Sequence, residues 1–373
     1  MDNDLSLLEK DWRDMQVWLE SCGYMLRPRF RVGWVPSWIK NPPPAGEGPW
    51  DREDWLISNG QLVIDAVRIV DHKPVMLKKV FRPGAGENDQ EEEIALYLSS
   101  PERLNDPRNH AVPIYEVLRI PNDNRYDLLV MPLLRPFDSP RFDTIGECLD
   151  FFQQIFQGLQ YLHHHRIAHR DCTGLNVMID ASELYPKGFH PQSQDRNVEF
   201  TGPAKQKYTR TQRPPKYYWI DFGLSIQFPP GTKSYRIPIL RGNDKTVPEH
   251  QDPRYMQQLC DPFPTDIYYL GNLVREFFTE GNAEFDFSRK IGLDFMKPLV
   301  EDMIQEDPSK RPNIDECVIR LDEITRSQSS WTLRSQVWHN TDNIFGFLYR
   351  LLPHWARRIT FILMRTPSIP QWR

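Results

Sequence analysis

Ala168-His169-Arg170-Asp171-Cys172-Thr173-Gly174-Leu175-Asn176 decides the reading of this chain. It lies between a helical pattern, Thr144 to His163, and a strand-like run, Val177-Met178-Ile179. An aspartate and an asparagine five residues apart on one loop can face a common cleft. The carboxylate can accept a proton from a hydroxyl, and the amide oxygen can ligate a hard cation. A second strand-like run, Tyr217 to Ile220, ends on Asp221-Phe222-Gly223. A carboxylate at a strand end, followed by a flexible glycine, suits a further magnesium-type ligand.

Upstream of this loop the pattern is strand-rich. Leu62-Val63-Ile64, Val75-Met76-Leu77 and Asp127 to Met131 alternate with turn residues and predict a small antiparallel sheet. Glu91 to Leu98 reads as a short helix after a Gly-Ala-Gly loop. Downstream, helical spacing dominates at 266–279, 291–306 and 313–325. The expected fold class is α+β: a small β-rich lobe followed by a larger helical one, with a ligand cleft between them.

With these residues quoted, the chain resembles the eukaryotic protein kinase family, over about 51–326. That resemblance implies a two-lobed fold, with an N-lobe at about 51–134, a C-lobe at about 135–326, and ATP and Mg²⁺ as cofactors. By similarity, Asp171 is the catalytic base, Asn176 and Asp221 are the metal ligands, and Arg170 meets a phosphorylated activation loop. Lys78, in Val75-Met76-Leu77-Lys78, matches the lysine that holds the α- and β-phosphates. Lys79 is adjacent, but strand alternation turns it to the opposite face. Glu93 matches the helix glutamate that pairs with that lysine, with Glu91 and Glu92 as competitors within one helical turn. Val63 and the hinge Met131-Pro132-Leu133-Leu134 would meet the nucleotide. Val247-Pro248-Glu249 resembles the motif closing the activation segment, and Arg311 is expected to pair with Glu249. Arg27-Pro28-Arg29-Phe30, Asp106 to His110 and Asp261 to Asp266 are similar to a group of fungal kinase-like proteins of unassigned substrate.

Two features depart from the family pattern. Upstream of Lys78 the sequence reads Leu56-Ile57-Ser58-Asn59-Gly60-Gln61-Leu62-Val63, with a single glycine, so the phosphate-covering loop is degenerate. Thr173 stands where serine/threonine kinases carry a lysine. The implied function is transfer of the γ-phosphate of Mg-ATP to a protein hydroxyl, Ser/Thr before Tyr. The alternatives are a pseudokinase serving as a nucleotide-binding or scaffold module, and a small-molecule phosphotransferase. Asp221-Phe222-Gly223, Glu249 and Arg311 speak for the protein-substrate branch.

The remaining sequence sets bounds. Net charge is -5 over 373 residues, which gives no overall pull toward nucleic acid. Five scattered cysteines read as free thiols, and with no signal or spanning stretch the expected location is intracellular, cytoplasmic. Residues 1–50 read as an amphipathic helix and an irregular extension. Segment 181–215 reads as an insert in a tight hairpin, either a solvated mobile loop or a docking segment. The 327–373 tail is basic and aromatic. Its residues 331–373 hold six arginines against Asp342. It is expected to pack as a helix on the helical lobe, or to touch a membrane surface. His163-His164-His165 ends a helix and is read as structural rather than metal-binding. Cys172, beside Asp171, is read as a packing residue. Thr232, Ser234, Tyr235 and Thr246 are candidate phosphosites.

Overall fold

The computed structural model describes residues 5–42, 48–57, 62–84, 90–240, 242–251, 258–283, 287–339 and 344–372, with backbone alone at 339 and 344–350. The degenerate phosphate-loop residues 58–61 fall outside them. The chain divides into two compact units. One holds Met1–Glu92, Val112–Leu134 and Tyr185–Lys207; the other holds Glu93–Ala111, Arg135–Leu184 and Tyr208–Arg373.

The first unit is built on a five-stranded antiparallel sheet. Its strands are β1 (Tyr24–Leu26), β2 (Val63–Arg68), β3 (Pro74–Phe81), β4 (Glu116–Arg119) and β5 (Tyr126–Pro132), in the order β1-β2-β3-β5-β4. Period-two alternation sends Val75 and Leu77 of β3 to a core that also contains Ile64, Ala66, Leu128 and Val130. Fully burying an aliphatic side chain of this size contributes about 1.5–3 kcal/mol.

The described residues of the 1–50 lead-in pack within this unit. Trp12 and Leu19 from the helices Leu7–Asp14 and Gln16–Ser21 enter the same core, and β1 pairs with β2. Ser6 and Glu9 cap the first helix reciprocally, and Glu9 then meets Arg29 at 2.7 Å in a buried ion pair. Arg27 holds Asp65 of β2 at 2.8 Å. These polar anchors are why the lead-in folds back on the sheet.

The second unit is mainly helical. The helix Ile145–His164 starts where the Thr144 hydroxyl accepts the Glu147 N–H at 3.2 Å. Its Leu149, Phe152, Ile155, Phe156, Leu159 and Leu162 are buried at the spacing read from the sequence. The helix Phe263–Val274 is buried along most of its length, and Ile314–Ser327 packs against Ile145–His164. Short strands complete this unit: β6 (Arg135–Pro136), β8 (Val177–Ile179) and β9 (Tyr217–Trp219) form one sheet, and β7 (Ile167–Ala168) pairs with β10 (Ile226–Gln227).

The insert 181–215 makes specific polar contacts at its centre and its end. Its central part belongs to the first unit, where His190 meets Glu53 at 3.3 Å and the Gln194 amide donates to the Leu134 carbonyl at 2.9 Å. Its end belongs to the second unit. There Arg210 is buried and donates to the Tyr217 hydroxyl at 2.6 Å and to the Phe137 carbonyl at 2.8 Å. A buried guanidinium needs such acceptors, so the segment is fixed by them. In the tail, His354 and Arg357 of the helix Ile344–Leu363 contact Asp143 at 3.3 and 2.9 Å, and Phe361 is buried. Among the described residues no helix is long and apolar enough to cross a membrane.

Candidate active site

The loop of the second unit is fixed by one buried carboxylate. Asp266, on the first turn of Phe263–Val274, accepts the backbone N–H groups of His169 at 2.8 Å and Arg170 at 2.6 Å. Its second oxygen also meets His163 Nε2 at 3.0 Å. Two charge-assisted backbone bonds hold the loop without using any functional side chain. Arg170 takes a positive φ of 67° within it, a costly conformation that this clamp stabilises. The three histidines go to three partners: His163 to Asp266, His164 to Asp315 at 2.8 Å, and His165 to the Tyr161 carbonyl at 2.8 Å.

Asp171 and Asn176 are brought together. The Asn176 amide nitrogen donates to Asp171 Oδ2 at 2.8 Å, and to the Asp171 carbonyl at 2.9 Å, which turns the amide oxygen the other way. Asp221 is near in the chain's pairing. β8 begins at Val177, opposite Trp219 of β9, and the Ile220 N–H donates to the Asn176 carbonyl at 3.0 Å. Asp221 follows with a φ of 63° and an exposed side chain, while Phe222 is buried against His169. Two oxygen-bearing side chains therefore stand at adjacent strand ends, a pair that could hold Mg²⁺ if phosphate and water completed its shell.

Asn243 was invisible as a site residue in the sequence. Its backbone N–H donates to Asp171 Oδ1 at 2.8 Å, and its side-chain amide donates to Oδ2 at 2.8 Å. Gly242 permits this approach: a Cβ there would lie 2.6 Å from Asp171 Oδ1. The only signal for it was a Gly-Asn-Asp turn just ahead of Val247-Pro248-Glu249. Burial raises the Asp171 carboxyl above its usual range, against the opposing pull of the Asn243 N–H. Arg170 donates to the carbonyls of Pro238 at 3.0 Å and Leu224 at 3.2 Å. Cys172 is fully buried and burial pushes its thiol up, away from reactivity.

Glu249 and Arg311 form the ion pair that the resemblance implied. Both guanidinium nitrogens lie 2.7 Å from the two carboxylate oxygens, and both side chains are almost wholly buried.

In the first unit, Val63 lies opposite Lys78, and Met131 lies opposite Met76. Cross-strand partners share a face, so Val63, Met76, Lys78 and Met131 lie on the side of the sheet away from the Val75–Leu77 core. Lys79 points the other way, 4.5 Å from the Trp12 ring. Leu134 is buried and its carbonyl receives Gln194. The glutamate assignment needs correction. Lys78 Nζ meets Glu91 Oε1 at 2.5 Å, and Glu93 is exposed. Glu91, Ile94, Ala95 and Leu98 fall on one helix face, and Glu93 is turned roughly 200° from Glu91.

A 143-residue stretch, 36% of the chain, is 28% identical to the sucrose non-fermenting protein kinase 1 of Fusarium virguliforme. That stretch spans 18% of the relative's length. The relationship is thus to a protein kinase, over about a third of the chain. No protein-family model matches.

Proposed function

We propose that this protein is a protein-kinase-type phosphotransferase that moves the γ-phosphate of Mg-ATP to a serine or threonine hydroxyl of a protein. The observation that carries the reading is the Asp171–Asn176 pair beside Asp221, on a loop held by Asp266. Mg-ATP supplies the electrophilic phosphoryl group, with its charge neutralised by the metal. Asn176 and Asp221 would hold the metal. Lys78, oriented by Glu91, would offer an ammonium to phosphate oxygens. Asp171 would accept the proton that the substrate oxygen loses as that oxygen bonds to the γ-phosphorus and the bond to the bridging oxygen breaks, with ADP as the leaving group. Asn176 and Asn243 orient the carboxylate. The two-lobed layout, the 51–326 domain bounds and kinship with the fungal kinase-like group belong to the same proposal.

A non-catalytic nucleotide-binding module is the second reading. Asn243 favours it, because its two hydrogen bonds occupy both oxygens of the carboxylate that must take the proton.

The test is transfer of labelled phosphate from ATP to a mixed protein substrate, by wild type, Asp171→Ala and Asp221→Asn. The expected outcome is loss of transfer in both variants. Mg²⁺-dependent thermal stabilisation by ATP persists in Asp171→Ala and falls in Asp221→Asn. Transfer equal to wild type in both variants would overturn the reading. Because burial raises the Asp171 carboxyl, transfer should fall on acidification at a pH above that of an ordinary aspartate.

A further inference from the structure

The tail helix Ile344–Leu363, inside the second unit, is an inverted amphipathic helix. Its charged side faces inward. Arg357 meets Asp143 at 2.9 Å, and His354, Arg358 and Phe361 are buried. Its outer side is apolar. Leu352, Trp355, Ile359 and Ile362 recur at steps of three, four and three residues, which is one stripe of an α-helix, and Leu363 extends it. Leu352 and Leu363 are each 78% exposed and Ile359 is 54% exposed, whereas the core leucines of the helix Ile145–His164 are almost wholly buried. Arg357 and Arg358 are the only charged residues from 351 to 363, so no charge interrupts the stripe. Rolling the helix to bury it would strand the inward contacts: Arg357 on Asp143, and Arg358 on the Trp331 carbonyl at 2.8 Å. A contiguous exposed apolar patch of this kind marks an interaction surface.

The charges around the stripe indicate what covers it. Arg334, Arg358 and Arg365 have no carboxylate partner among the described residues. Arg334 and Arg358 donate to backbone carbonyls, of Thr366 and Trp331, and Arg365 is exposed just past the helix. The Arg358 guanidinium lies 3.7 Å from the Trp331 ring and 4.9 Å from the Trp355 ring, and its Nε has no acceptor. Burial, and then repulsion by Arg334, pulls the Arg358 pKa below its usual value, which a nearby anion would reverse. Tryptophans beside arginines at the rim of an apolar stripe suit the boundary between lipid headgroups and acyl chains. A second copy of the chain would instead set the same unpaired arginines against these.

We infer that this face docks on a membrane surface that carries anionic phospholipids. Leu352, Trp355, Ile359 and Ile362 enter the acyl boundary, and the bordering arginines attract the headgroup phosphates. The helix lies in the plane of the interface, since among the described residues none is long and apolar enough to cross a membrane. This docking is independent of the phosphotransferase reading.

Sedimentation of the full chain with lipid vesicles tests it. Phosphatidylcholine vesicles with about one third phosphatidylserine should bind it about tenfold tighter than phosphatidylcholine alone, and added salt should weaken that binding. Ile359→Glu should weaken binding about tenfold with thermal melting unchanged, and Ile359→Leu should bind as wild type. Leu363→Glu, at another exposed position of the stripe, repeats the test should Ile359→Glu melt early. Arg365→Glu should cut the preference for phosphatidylserine to about threefold or less. Absence of wild-type binding to the phosphatidylserine vesicles would overturn the inference, as would equal binding by wild type and both glutamate variants of the stripe. Displacement by soluble glycerophosphoserine would overturn it too, because an anion site without lipid insertion would then suffice. So would a wild-type dimer in ultracentrifugation that Ile359→Glu dissociates, which would assign the face to a second copy.

Discussion

Two ion pairs, one in each unit, show how the same chemistry serves different ends. Arg311 and Glu249 form a fork on a fork, with side chains 0% and 3% exposed. Arg311 also donates to the carbonyls of Gln305 at 2.8 Å and Pro264 at 3.0 Å, so its donors are used up by the fold. Lys78 and Glu91 meet at 2.5 Å, with side chains 12% and 11% exposed, on the sheet face away from the core. A guanidinium saturated in a dry site is a structural fixture. A single ammonium at a partly open site is a point charge that can be shared with a phosphate.

The difference predicts that breaking the first pair damages the fold and breaking the second damages binding. Arg311→Ala leaves the Glu249 carboxylate buried without its partner, which should cost about 3–5 kcal/mol in denaturant unfolding. Arg311→Lys should recover only part of that, because a lysine cannot span both oxygens. A small effect from Arg311→Ala would mean that water reaches Glu249 and the two pairs are alike.

His110 sharpens the comparison as a buried titratable group with no counter-ion among the described residues. Its ring Nδ1–H donates to the Tyr217 carbonyl, 2.8 Å away. Burial holds its pKa down at about 4, so it is neutral in the folded chain at pH 7. The unfolded chain protonates near pH 6.5 and the folded chain near 4. Folding stability from this group is therefore present above pH 6.5 and lost as pH falls toward 4, by roughly 3 kcal/mol. Thermal melting of wild type and His110→Gln across pH 7 to 4 checks this: the wild-type curve should fall more steeply.

Much of this arrangement was legible in the sequence, for specific reasons. Helical periodicity announced Ile145–His164, and strand alternation separated Lys78 from Lys79. The Asp171–Asn176 spacing and the Glu249–Arg311 expectation rested on short motifs whose geometry is local or strongly patterned. What escaped was set by long-range packing. Arg27 and Arg29 bind residues up to 38 positions away, so the lead-in looked irregular until Asp65 and Glu9 were placed beside it. Arg210 in the insert finds its acceptors in the Tyr217 hydroxyl and in the Phe137 carbonyl 73 residues away, and a backbone carbonyl carries no sequence signature. Asn243 reaches Asp171 across 72 residues.

The choice among Glu91, Glu92 and Glu93 turned on helix phase, and it yields the smallest predicted effects. Sequence offers three glutamates in a row, and a helix can aim only one of them at Lys78. Glu91 is the one that meets it. Glu92 is committed to Arg119 at 2.8 Å, and Glu93 is exposed. Glu91→Gln should weaken Mg-ATP binding about tenfold, close to 1.4 kcal/mol, by releasing Lys78 from its orientation. Its effect on folding should be about 1 kcal/mol, well below that of Arg311→Ala. Glu93→Gln should leave nucleotide affinity within twofold of wild type and stability within about 0.5 kcal/mol. Isothermal titration of the two variants side by side decides the matter. If Glu93→Gln proved the more damaging, the helix phase seen here would be wrong for the nucleotide-bound protein, and the distinction between a fixed pair and a shared one would have to be redrawn around Glu93.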